Sequence, residues 1–268
     1  MANQEHLSFL RAGAVKWIEW RRQNPLVQVD LSAANLPGVN LRGANLQGVN
    51  LTKVNLAHAL LVRTNLNGAD FSDADLHQAK LIEANLSQGN FSIANLSGAI
   101  LTQADLSQGN FIGANFSAAN LQGAVITDAN LIGTDFSNAN LQDTDLGAAK
   151  LNRSNLCFAN LIAANLISAN LTEANLYEAE IMTAYLYQAN LYKTNLVKAH
   201  LGNSYLFRAN LSEANLIQAD LSWANLRRAN LAGANLSGAN LRGANLQGAN
   251  LNGVNWQNAI MPDGLMYQ

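Results

Sequence analysis

From Leu31 to Trp256 the chain holds a single five-residue frame through 46 consecutive units without one insertion. The centre of each unit is Leu at 38 positions, Phe at Phe71, Phe91, Phe111, Phe116 and Phe136, Ile at Ile126 and Ile181, and Trp at the last. Two residues earlier the chain is always small or β-branched, mostly Ala, with Val29, Val39, Thr64, Gly89, Thr134, Ser154 and Ser204 among the variants. The residue just before the centre is Asn or Asp in 37 of the 46 units, so the unit reads A-[N/D]-L-x-x. A period of five serves neither regular element. Five helical steps of about 100° leave each Leu about 140° from the last, and an odd repeat flips successive Leu residues to opposite faces of a strand. The chain must therefore turn once per unit. Short extended pieces joined by corners, wound about a common axis, bring every Leu inside, which is a solenoid. Ala suits a tight interior corner, and Asn or Asp suits a corner because its short side chain bonds nearby backbone.

Composition removes the other broad classes. With 49% hydrophobic residues the chain is no disordered polar tract, and with Cys157 as its one cysteine it is no disulfide-built scaffold. Polar residues interrupt every short apolar run, whereas a membrane span needs roughly 20 consecutive apolar residues. The N-terminal MANQEHLSFLRAG lacks the apolar stretch and cleavage pattern of a secretory signal, so a soluble, cytoplasmic protein is expected.

The unit resembles that of the pentapeptide-repeat family, and the likeness runs from Leu31 through Trp256. It implies a right-handed quadrilateral β-helix, an all-β solenoid with four pentapeptides and 20 residues per coil. At four per coil, 46 units make 11.5 coils, and with adjacent strands about 4.8 Å apart the rod is roughly 55 Å long. The departures from Asn/Asp support that coil: Leu60, Lys80, Ile100, Glu180 and His200 share one 20-residue register, and Val125, Tyr185 and Tyr205 another, with Lys150 elsewhere. The expected organisation is an N-terminal helical cap over 1–25, the β-helix over 26–258 and a C-terminal capping tail over 259–268. No internal boundary is expected, since Pro37 lies in the first coil and the other prolines flank the repeats.

A solenoid exposes core and strand edges at its ends and needs covers. Residues 3–24 read as one helix whose Leu7, Leu10, Ala14, Trp17 and Ile18 form the covering face, with Asn3 as cap and Asn24-Pro25 as stop. The segment Trp17 to Pro25, leading into Asp30-Leu31-Ser32, resembles the leader of cyanobacterial pentapeptide-repeat proteins. The alternative for this amphipathic helix is a contact with a partner or a membrane surface. At the other end Trp256 enlarges the core residue, and Ala259 to Gly264 leaves the repeat with a turn signal of similarly cyanobacterial appearance.

Catalytic motifs are not apparent. His6, His58, His77 and His200 are scattered, and no HExxH, paired CxxC, P-loop or GxSxG occurs, so a non-enzyme without cofactor or metal is expected. Cys157 is expected at a wall surface, as a bland small residue rather than a reactive thiol. Glu180, His200 and Asp220, 20 apart, should stack on one wall, where they could hold a metal or pass a proton but read more simply as a surface charge ladder. Arg153, Glu173, Lys193 and Glu213 form a second column of alternating sign.

The sharper feature is apolar and outward. Tyr185, Tyr187, Tyr205 and Phe207 flank Leu186 and Leu206, one coil apart, and should form a two-by-two aromatic grid. Ile167, Met182, Tyr192 and Trp223 lie around it, Arg208, Arg227 and Arg228 border it, and Phe158, Tyr177, Val197 and Ile217 populate another wall. Aromatic groups framed by Arg have the composition of a protein-binding hot spot. A ladder that merely stabilises its own wall explains the grid as well. The leading expectation is a rigid interaction scaffold for a protein partner, a second copy of the chain included. The family resemblance also offers a DNA-mimicking binder of type II topoisomerases, as in quinolone protection, but 18 acidic residues nearly balance 16 basic ones. A β-helix lyase would need long catalytic loops that this frame does not admit, and no sustained basic stripe supports nucleic-acid binding.

Overall fold

Each unit closes a β-turn over its Leu-x-x-Ala segment. In every unit but that of Ile126 the carbonyl of the centre residue accepts the N–H three residues on, as at Leu31 and Ala34 (3.1 Å) or Leu161 and Ala164 (3.0 Å). The third residue of the turn has positive φ in all 46 units, at 33 non-glycine positions with φ between 51° and 61° and at 13 glycines. That is the signature of a type II turn, and outside glycine it costs about 1–2 kcal/mol per residue. The cost is tolerated because the rest of the unit is fixed from both sides. In the computed structural model, which describes residues 2–267, N–H groups of each coil donate to the next, for example Leu31 to Asn50 (2.8 Å) and Ala33 to Thr52 (2.8 Å), while Asn50 N–H returns to Val29 (3.0 Å).

Every parallel bridge joins residues 20 apart, so one coil is four units. Wall 1 carries Asp30 and each twentieth residue to Asn250, wall 2 runs from Asn35 to Asn255, wall 3 from Asn40 to Ile260 and wall 4 from Asn45 to Asn245. The turn consumes four residues of five and leaves only the Asn position to bridge. Among the described residues the walls are thus ladders of single bridges, not the extended pieces anticipated from the repeat. The Ala position is likewise not the corner: it points inward and is buried beside the Leu. Asn occupies the flat of the wall, and its side chain reaches forward to accept the N–H two residues on, as Asp145 does from Gly147 (3.0 Å). Many of these side chains also bond their counterpart one coil away, Asn195 Nδ2 donating to Asn175 Oδ1 at 2.8 Å.

Leu, Phe and Ala dominate one continuous core along the axis, joined by Ile126, Ile181 and valines, with Thr64, Thr134, Thr144, Ser154, Thr194 and Ser204 buried at Ala positions. Phe71, Phe91 and Phe111 stack with centroids 4.7 and 5.1 Å apart. Gly89 and Gly109 stand where Ala is usual because a Cβ there would lie 2.6 and 2.5 Å from the Phe91 and Phe111 rings.

The N-terminal cover is two helices, α1 (Gln4–Arg11) and α2 (Ala14–Gln23), where the amphipathic pattern suggested one. The break is at Gly13, whose φ of 99° suits glycine. Asn3 caps α1, its Oδ1 accepting from Glu5 N at 2.9 Å. Leu7, Leu10 and Trp17 are buried, and Trp17 Nε1–H donates to the Asn45 carbonyl at 2.8 Å. Arg21 donates to the Val27 and Gln47 carbonyls, which ties α2 to the first coil. Ile18 does not join the covering face: it is 41% exposed, because the break at Gly13 resets the helical phase. It lines an open groove of about 610 Å³ with Arg22 and Pro25. At the far end the chain continues wall 3 to Ile260 and folds back so that Met266 pairs antiparallel with it. Trp256 is only half-buried, and Leu251, Leu265, Met266 and Tyr267 are exposed.

Candidate interaction surface

The aromatic grid lies on wall 4 and on the corner by which that wall passes into wall 1. Tyr185 and Tyr205 take the bridging position of adjacent coils, with ring centroids 5.0 Å apart and planes 4° from parallel. Tyr187 and Phe207, at the start of the following turns, stack at 5.8 Å and 5°. Both bridging tyrosines remain nearly half exposed, at 46% and 47%. The 20-residue coil brings all four together in register.

Replacing Asn by Tyr at 185 and 205 removes a local bond each time. In the coils on either side, Asn165 accepts from Ile167 N (3.1 Å) and Asn225 from Arg227 N (3.3 Å). The N–H groups of Tyr187 and Phe207 make no such bond among the described residues. Each lost bond is worth about 0.5–1.5 kcal/mol, and each stacked aromatic pair returns about the same. For the rod alone the exchange is close to neutral.

Arginine frames the outer corner. The Arg208 guanidinium lies 5.3 Å and that of Arg227 6.0 Å from the Phe207 ring centre. Arg228 is exposed beside them. Ile167 heads the same column as Tyr187 and Phe207. Met182 and Trp223 belong to the other corner of wall 4, where it meets wall 3, separated there by the coil that carries Gly202 and Asn203. They flank the grid and do not extend its stack. Trp223 is 65% exposed and lies over Gly243, where a Cβ would come within 2.5 Å of the indole. Gly243 is therefore part of this surface, and the 20-residue spacing from Trp223 was the signal for it.

The other clusters are internally satisfied. His200 Nδ1 lies 2.8 Å from Glu180 Oε1 on wall 3, but the Asp220 carboxylate takes its bonds from Ser222 N and Asn240 Nδ2 instead. Beside them Lys198 pairs with Glu178 (3.2 Å), and with Phe158 and Gln218 these groups line a shallow depression of about 600 Å³. Phe158 meets Tyr177 edge-on at 5.5 Å. Arg153 pairs with Glu173 at 2.8 Å and Lys193 with Glu213 at 3.5 Å. The side-chain bond from Arg153 holds Glu173 below the usual carboxylate range, and that from Arg63 does the same for Glu83. Burial pushes the half-buried Cys157 thiol up. Among the described residues no three His, Cys, Asp or Glu side chains are grouped to hold a metal, and no helix is long and apolar enough to cross a membrane.

A four-sided parallel β-helix with one bridge per wall per coil defines the class of fold. The pentapeptide-repeat family model matches over 26–61, 50–88, 90–128, 99–138, 139–176, 184–222 and 219–258, and the chain belongs to that family, whose members fold as right-handed quadrilateral β-helices. The chain is similar to HetL, a pentapeptide repeat protein involved in heterocyst differentiation regulation from the cyanobacterium Nostoc sp. strain PCC 7120. The two share 32% identity, with 93% of this chain and 98% of HetL covered and a TM-score of 0.56. A trypsin-treated QnrB1, a plasmid-mediated fluoroquinolone resistance protein, matches at 20% identity over 71% of this chain and 85% of its own, with a TM-score of 0.48. Rfr23 from the cyanobacterium Cyanothece 51142 matches at 26% identity over 51% of this chain and 94% of its own, with a TM-score of 0.20. No curated protein matches.

Proposed function

We propose that the protein is a non-enzymatic interaction scaffold, a rigid rod that presents the aromatic and arginine surface of wall 4 to a protein partner. One observation carries the reading: the stacked Tyr185 and Tyr205 sit nearly half-exposed at the bridging position, where the coils on either side place an Asn that holds its own turn, and a second stacked pair, Tyr187 and Phe207, adjoins them. Rings of this kind beside Arg are the groups that dominate protein interfaces. HetL acts in regulation of differentiation, and a regulatory, partner-directed role is compatible with a rod of this kind. A DNA-mimicking role is less well supported, because the glutamates that would imitate phosphates are neutralised in their own columns by Arg63, Arg153, Lys193 and Lys198.

The test is the double variant Tyr187→Ser, Phe207→Ser, with Gln88→Lys, on the same corner but at least five coils away along the rod, as control. Size, melting and partner capture from the source organism are compared. The expected result is that the double variant loses a protein, or a second copy of the chain, that wild type and control retain, while its melting stays near wild type. Unchanged capture and oligomeric state with a large fall in stability would show a ladder that serves only its own wall.

A further inference from the structure

The ion pairs of the repeats join opposite charges 20 residues apart, in one column: Arg63 with Glu83, Arg153 with Glu173, Lys193 with Glu213 and Glu178 with Lys198, and the Glu180–His200 contact runs the same way. An Arg in this rod thus meets a carboxylate whenever the next coil offers one. The corner beside the grid breaks that pattern. Arg208 and Arg228 occupy the same turn position in adjacent coils, like charge on like, and Arg227 directly precedes Arg228. None of the three has a carboxylate within 4 Å among the described residues: Glu213, nearest along the chain to Arg208, is engaged by Lys193 and by the Tyr192 hydroxyl, and Asp220, nearest to Arg227 and Arg228, accepts from Ser222 N and Asn240 Nδ2. Like charges in register repel. Here they are kept, and two of the three are held against Phe207 by its ring.

We infer that this corner is built to receive an acidic segment of a protein partner, its carboxylates on Arg208, Arg227 and Arg228 and its apolar side chains against Tyr185, Tyr187, Tyr205 and Phe207. The inference rests on the reading of the grid as a binding surface and adds the chemistry of what binds. Charge complementarity supplies the argument: Arg forms bidentate bonds to carboxylates, and three guanidinium groups without an ion-pair partner among the described residues, two of them in register, are concentrated within two coils beside the aromatic grid. Single-stranded nucleic acid, the other polyanion that favours Arg with aromatics, needs open ring faces on which bases stack. In this surface the faces are turned to each other along the rod, and Phe207 is further covered by Arg208 and Arg227.

The test uses a random twelve-residue peptide library displayed on phage. It is selected on the full-length protein with an excess of the Tyr187→Ser, Phe207→Ser variant in solution, so that only grid-dependent binders survive and no charge is imposed. The inference expects enriched peptides of net negative charge with aromatic or aliphatic anchors. Their affinity should fall about tenfold or more on Arg208→Gln, Arg228→Gln, and should weaken between about 50 and 300 mM salt. If the double variant melts early, the single Arg208→Gln variant is read in its place. Neutral or basic peptides, or affinities indifferent to the Arg→Gln changes, overturn the acidic partner and leave the grid standing. Tighter binding of a twelve-nucleotide oligothymidylate than of any peptide overturns it in favour of nucleic acid. Recovery of no grid-dependent peptide overturns both the inference and the reading beneath it.

Discussion

Side chains at the third turn position need a backbone that most of them avoid. Gln, Glu, Lys, Arg, Phe158 and Trp223 all accept φ near +57° because the turn and two inter-coil bonds fix the chain around them. The worst fitted is Ile93, β-branched, 67% exposed and at φ 59°. Ile93→Asn, which tolerates this conformation, should stabilise the protein by about 1 kcal/mol in urea unfolding. No change, or a loss, would mean that the ladder removes the strain altogether. The repeat frame made the inward Leu and Ala positions legible, since they obey composition. The left-handed position was not, because it carries nearly every residue type and its only hint is the scatter of glycines. The place of Asn on the flat of the wall was hidden for a related reason: its bond to the N–H two residues on serves a corner and a wall equally well.

A single coil shows how tightly neighbours constrain one another. Gly109 leaves room for Phe111, so Gly109→Ala should cost about 1–3 kcal/mol by overpacking. Adding Phe111→Leu should recover most of that loss in the same unfolding assay, and failure of the rescue would place the strain elsewhere than the ring. The helical cover was legible in part. Leu7, Leu10 and Trp17 follow from spacing, whereas the exposure of Ile18 follows from Gly13, a residue visible in the sequence whose break shifts the phase of everything after it. Trp17 fills the junction of α2 with the first coil and donates to Asn45. Trp17→Ala should therefore lower stability by about 3–5 kcal/mol and yield higher oligomers by gel filtration as the coil edge opens. A monomer of unchanged melting temperature would free the helices for another role.

For the whole rod, charge is a column property, and so is the aromatic site. Exposed ladder pairs contribute little and are screened by salt. Glu83 and Glu173 are held below their ordinary 4.5 by their arginines, so what they contribute is present above that value and lost as pH falls through the lowered one. Lys193 is raised above 10.5, by the Tyr192 hydroxyl first and Glu213 next, so its contribution is complete below 10.5 and lost above. Thermal midpoints should decline below about pH 5 and above about pH 10, and midpoints indifferent to both extremes would show that the column pairs contribute nothing to the fold. The site residues could be aligned from the 20-residue coil, but whether Tyr185 and Tyr205 serve the rod or a partner could not, because that turns on the N–H groups of Tyr187 and Phe207.

That question has a direct measurement, the unfolding midpoint of Tyr185→Asn, Tyr205→Asn, which restores the side chain used in the coils on either side. Asn at both positions returns an acceptor to the N–H groups of Tyr187 and Phe207 while removing one stacked pair, so the account predicts stability equal to or slightly above wild type together with loss of partner binding. A fall of several kcal/mol would show that the tyrosines hold up their own wall, and would contradict the assignment of this surface to another molecule.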